Sequence, residues 1–225
     1  MASLNARAWL SLAMLAAVMA LMLFVAAGTL RYWQGWIYLA IFIGATALTT
    51  ADLVRRDPAL LQRRMKGGPL AETRPAQRPI MLWASICFVA LLVVPALDRR
   101  FAWSIVPLAA VVAGDVLVAL GFSLIFRVYR ENTFTAATIE VASDQEVIST
   151  GPYAIVRHPM YAGGSLYIFG TPLALGSWWG FTPIVVMMPV LIWRLLDEER
   201  MLAHSLPGYV DYQKRVRYRL VPFVW

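Results

Sequence analysis

MYAGGSLYIFGTPLALGSWWGFTPIVVMMPVLIW, residues 160–193, is 34 residues long and carries no charge. One helix needs about 20 apolar residues to cross the hydrocarbon core of a bilayer. The stretch is too long for one crossing. Near its middle stands Gly176-Ser177-Trp178-Trp179-Gly180, which joins turn-forming residues to the aromatics favoured at a membrane–water interface. The spacing predicts a helical hairpin that crosses and returns. A single tilted span followed by a re-entrant piece is the alternative.

The rest of the chain fits a hairpin in a membrane. Of its 225 residues, 60% are hydrophobic and 15% charged, far less charge than a soluble domain of this length carries. Further apolar runs lie near 9–30, 36–54, 80–97 and 102–126. The predicted fold is therefore all-α: a polytopic transmembrane protein of about six helices. It reads as one domain over 1–225, with four spans in 1–126 and a second half in 127–225. Arg7 and the small residues Ala26, Ala27 and Gly28 flank the first run as in a signal peptide. Its apolar core is too long for one, so it is read as a retained first span. A single cysteine, Cys87, excludes an internal disulfide.

Charge sets the expected orientation. With the N-terminus inside, Arg31, Arg99 and Arg100 fall outside, and the other seventeen of the twenty Lys and Arg residues fall inside. This is the positive-inside pattern. It accounts for the net charge of +7 through basic loops facing anionic lipid, with no need for nucleic acid. Both termini, the polar segment 127–157 and both ends of the hairpin then share the cytoplasmic side, where residues on its two legs can meet.

Each end of the hairpin carries polar residues. Arg157 and His158 precede Pro159, and proline suits the first turn of a helix because its missing N–H costs nothing there. A helix beginning at Pro159 would turn its N-terminal N–H groups and positive dipole end toward this pair, a setting that favours a carboxylate or phosphate. Beyond the hairpin come Arg194, Asp197, Glu198, Glu199 and Arg200. Arg194 and Glu198 are i and i+4 and share a face. Asp115 sits in mid-span, about 18 Å of helix rise from Arg127; a hydrogen bond to a neighbouring helix is expected there. No G-x-G-x-x-G, Walker loop, H-E-x-x-H or G-x-S-x-G occurs. With two histidines and one cysteine a metal site is not expected. If the chain is an enzyme, its chemistry resides in an organic cofactor.

TGPYAIV followed by RHPMY, the uncharged hairpin, RLLDEER and LPGYVDYQKRVRYRLVPFVW together resemble the isoprenylcysteine carboxyl methyltransferase family over roughly the last hundred residues. The resemblance implies an integral membrane enzyme that moves a methyl group from S-adenosylmethionine to a lipophilic substrate, releasing S-adenosylhomocysteine. It makes 127–225 the cofactor-binding half, with a cytoplasmic pocket. By position it implies cofactor contacts at Gln145, Glu146, Val147, Ile148, Tyr153, His158, Pro159, Met160, Tyr161 and Glu198, and a substrate-facing Arg194. A carboxylate nucleophile would need no base; for an amine, Glu199 is the nearest candidate. The expected partners are a lipid-borne or lipidated substrate and membrane lipid. A phospholipid amine N-methyltransferase, an NADPH-dependent membrane sterol-type reductase and a non-enzymatic scaffold are the rival readings.

Overall fold

The computed structural model describes residues 2–65, 67, 77–135 and 145–225. Lys66 and Arg74, two of the seventeen inside charges, lie outside the described residues. The described residues form α-helices and connecting turns: α1 (Ala2–Ala27), α2 (Trp33–Arg56), α3 (Pro58–Met65), α4 (Gln77–Phe101), α5 (Leu108–Glu131), α6 (Pro159–Ala174), α7 (Thr182–Ser205) and α8 (Tyr209–Arg215). Short 3₁₀ turns at Gly151–Ala154 and Trp179–Phe181 precede α6 and α7. The helical class is as expected. Five helices are long and apolar enough to cross a membrane: α1, α2, α4, α5 and α7 with its preceding turn. They mark the chain as an integral membrane protein. α6 completes the expected set of about six, but its 16 residues span only about 24 Å.

α6 is nevertheless one leg of a true hairpin. It begins at Pro159, as the proline dictates, and runs antiparallel along α5. A Cβ added to Gly163 would lie 2.9 Å from Gly121 O, and one added to Gly114 would lie 2.2 Å from Ala174 N. Only glycines allow two helix backbones to approach this closely, and lipid-embedded helices associate through such packing. The chain then turns through Gly176, whose φ of +70° suits glycine. This turn is tied to the end of α4 and to the segment that leads into α5. The buried Asp98 carboxylate accepts from Ser177 Oγ at 2.5 Å and from Ser104 N at 2.8 Å. α6 follows α5 from Gly121 to Gly114 before the chain returns in α7.

Packing then separates the legs. α6 lies on α5, whereas α7 lies on α4, and α6 and α7 barely touch. Where they do meet, Ile168 packs with Cys87 and Leu91 of α4 and Ile184 and Met187 of α7. α1 and α2 close the bundle through Met19, Leu23, Tyr38 and Phe42. Tyr32 Oη donates to Leu175 O at 2.6 Å, and Tyr38 Oη meets Thr171 Oγ1 at 3.1 Å. Exposed tryptophans mark both ends of the bundle: Trp33, Trp36, Trp103, Trp178 and Trp179 at the turn end, and Trp9, Trp83 and Trp193 toward the other. That is the distribution an interfacial belt requires.

The boundaries of α1 and α5 differ most from expectation: α1 begins at Ala2 rather than near 9. α5 begins at Leu108 rather than near 102, because Pro107 stands extended before it, and it continues past Arg127 to Glu131. The interhelical hydrogen bond expected of Asp115 is not made by its Oδ1, which is buried without a partner.

Candidate functional site

The site starts from the N-terminus of α6. His158 stands at the N-cap position, without a side-chain capping bond, and Pro159 opens the helix. The backbone N–H groups of Arg157 and His158 donate to Tyr218 O and Arg219 O, each at 2.9 Å. The C-terminal segment is thereby paired against this turn. Arg157 holds the same segment through its side chain, with Nη1 donating to Val216 O and Arg217 O at 2.8 Å. Its Nε donates to Glu199 Oε1 at 2.6 Å, and Arg219 Nε donates to Glu199 Oε2 at 2.8 Å. One buried carboxylate thus clamps two guanidinium groups, one before α6 and one in the C-terminal segment.

Between α4, α6 and α7, beside this clamp, lies a cavity of ≈ 630 Å³. Gln145, Glu146, Val147 and Ile148 line it, as do Tyr153 and the run His158, Pro159, Met160 and Tyr161. From α7 come Arg194 and Glu198. Every residue expected at the site is there except Glu199. That side chain turns away from the cavity into the two-arginine clamp, with His158 Nε2 3.5 Å from its Oε1. A carboxylate with both oxygens engaged by guanidinium groups is not placed to take a proton from a substrate. Glu199, the nearest candidate base had the substrate been an amine, lies in the clamp. Its neighbour Glu198 points into the cavity because successive helical residues are about 100° apart.

The cavity has two ends of different character. At the polar end, Tyr161 Oη donates to Glu198 Oε2 at 2.6 Å. Asn132 Nδ2 donates to Tyr153 Oη at 3.0 Å, and Tyr212 Oη donates to Tyr153 O at 2.8 Å. Burial pushes the Tyr153 and Tyr212 phenols up from their ordinary range. Tyr209 is pushed up by burial and then by the nearby carboxylates of Glu199 and Glu198. These phenols therefore remain neutral hydrogen-bond donors at neutral pH. One buried polar atom of the lining, Tyr209 Oη, has no hydrogen-bond partner, whereas His158 Nε2 faces the Glu199 carboxylate at 3.5 Å. The other end is apolar, formed by Phe88 and Val89 of α4 and Met187, Met188 and Leu191 of α7. Arg194, 8% exposed, lines the cavity one helical turn from Glu198.

Sequence reasoning missed Asn132, Gln77 and Arg219, and it gave no separate role to Tyr209. Tyr209 stood in the quoted Leu206-Pro207-Gly208-Tyr209 run, and its spacing from Tyr212 was the available signal. Gln77, whose Oε1 accepts from Arg194 Nη1 at 2.9 Å, belongs to no motif.

Residues 109–207, just under half of the chain, match the phospholipid methyltransferase family model. The matched stretch runs from the start of α5 to just past α7 and so takes in both legs of the hairpin. No curated protein matches the chain. The family match supports an integral membrane methyltransferase, a class that includes the isoprenylcysteine enzymes without singling them out.

Proposed function

We propose that this chain methylates a lipophilic carboxylate with S-adenosylmethionine. The observation that carries the reading is a single cavity with an acid and aromatics at one end, apolar side chains at the other, and Arg194 lining it one turn from Glu198. The residues present fit the cofactor. Glu198 suits the ammonium of its methionine part. Tyr209 Oη, buried without a protein partner, and His158, which lines the cavity, suit its polar groups, while Tyr153 and Tyr161 can flank an adenosine. Gln145, Glu146, Val147 and Ile148 complete this end. Bound there, S-adenosylmethionine supplies an electrophilic methyl group.

The chain's own task is placement and exclusion of water. A lipid carboxylate is ionised at neutral pH and needs no base. Arg194 can hold it through two parallel N–H···O bonds, which fix direction as well as charge. The apolar end takes the lipid portion. The excess of inside charge supports a cytoplasmic location for the site and for both termini.

A second reading, methylation of a phospholipid amine, has the family match in its favour. It requires a base, and Glu199 is occupied. Labelled methyl transfer separates the two. The expected acceptor is a prenyl thioether carboxylic acid rather than phosphatidylethanolamine. Arg194→Lys should keep S-adenosylhomocysteine binding and lose most transfer, because lysine keeps the charge but not the planar fork. Transfer to phosphatidylethanolamine alone would favour the second reading.

A further inference from the structure

We infer that Gln77 is a positioning residue that orients Arg194 toward the substrate, an inference that rests on the carboxylate reading of the site. Gln77 is the first residue of α4 and is fully buried. Its amide lies across one turn of α7: Oε1 accepts from Arg194 Nη1 at 2.9 Å, and Nε2 donates to Asp197 Oδ2 at 2.5 Å. The two charged neighbours fix the orientation of the amide, since arginine can only donate and an ionised carboxylate can only accept. The bond to Gln77 anchors one nitrogen of this planar guanidinium on the α4 side, Tyr161 meets the same group from α6, and together they set its plane. Gln77 itself does not line the cavity, whereas Arg194 does. It therefore acts through Arg194.

Gln77 also lies outside residues 109–207. The half of the chain that does not match the family thus braces the group that faces the substrate. Recognition of the nucleophile is shared between α4 and α7, and a change at the start of α4 would alter substrate choice without touching the cofactor end.

The test is a binding measurement on the full chain saturated with S-adenosylhomocysteine. An S-farnesyl thioether carboxylic acid and its neutral methyl ester are titrated separately. A charge-assisted hydrogen bond should give the wild type at least about a tenfold preference for the acid. Gln77→Met keeps the side-chain length and removes both hydrogen bonds. It should bring the preference below about threefold while S-adenosylhomocysteine affinity stays as in the wild type, with a lowered unfolding midpoint because Arg194 and Asp197 each lose a hydrogen bond. Gln77→Glu should also lose the preference, because it sets two carboxylates face to face. Gln77→Glu combined with Asp197→Asn exchanges donor and acceptor, leaves Arg194 an acceptor, and should restore it. A wild type with no preference removes the carboxylate reading and this inference together. A wild-type preference that survives Gln77→Met, or one lost only in proportion to cofactor affinity, overturns the inference alone. If Gln77→Met does not fold, the exchange decides: a double variant no better than Gln77→Glu overturns the assignment.

Discussion

The two sides of α6 are built in opposite ways. Against α5 its glycines bring backbone onto backbone, leaving no room for a methyl group. Toward α7 its side chains stand around a cavity of ≈ 630 Å³. The contrast shows how a helical hairpin can enclose a site. Its legs are joined at the turn, but each is bound to a different helix, α6 to α5 and α7 to α4. What holds the legs apart is the packing on their outer sides. At the open end the separation is closed by the clamp of Arg157, Glu199 and Arg219, which carries stability, while Glu198 on the next position faces the cavity.

The largest effect should come from the clamp. Glu199→Ala leaves the buried Arg157 guanidinium without its carboxylate, a loss of about 3–5 kcal/mol for a buried pair. Thermal unfolding in detergent should drop sharply, and S-adenosylhomocysteine binding should fall with it. A stable Glu199→Ala protein that still binds would remove the clamp from the account. The seam comes next. In Gly114→Ala the new methyl would lie 2.2 Å from Ala174 N, so α5 and α6 must part, at about 1–3 kcal/mol. Gly44→Ala, with nothing within 4 Å of the new atom, should leave the same unfolding curve in place or raise it slightly, since alanine is the better helix former. Equal shifts in the two variants would show that α5 and α6 are not sealed by close backbone contact. The smallest effect belongs to the cavity wall. Tyr209→Phe removes a buried hydroxyl that has no protein partner, so stability should hold or rise slightly. S-adenosylhomocysteine affinity should weaken by roughly 2- to 12-fold, the worth of about 0.5–1.5 kcal/mol of neutral hydrogen bond. Calorimetric titration of this variant with unchanged affinity would take the hydroxyl out of the cofactor site.

The sequence made the hairpin legible for a plain reason: 34 uncharged residues exceed one crossing, and Pro159 announces where α6 starts. The cavity-lining residues of 145–161 and 194–198 were legible through a resemblance carried by clustered polar residues beside apolar runs. The splaying of the legs was not. Gly114, Gly121, Gly163 and Gly170 reveal their meaning only once two helices distant in sequence are laid together. The roles of Glu198 and Glu199 could not be divided either. Adjacent helical residues must point in different directions, but their order does not say which one meets the cavity. Gln77 is a neutral amide outside any pattern, and its partners Arg194 and Asp197 are 117 and 120 residues away. Asp115 invited an interhelical bond that the helix rotation does not supply to Oδ1.

The central claim is that the cavity between α4, α6 and α7 holds S-adenosylmethionine by way of Glu198. Calorimetric titration of the purified full chain with S-adenosylhomocysteine, run beside NADPH and repeated on Glu198→Ala, tests it directly. The account predicts binding of S-adenosylhomocysteine and not of NADPH. It also predicts a loss of about 10- to 150-fold in Glu198→Ala, the worth of one charged hydrogen bond of roughly 1.5–3 kcal/mol, in a protein that still folds. Binding of NADPH in place of S-adenosylhomocysteine, or an affinity for S-adenosylhomocysteine that Glu198→Ala leaves untouched, would contradict it.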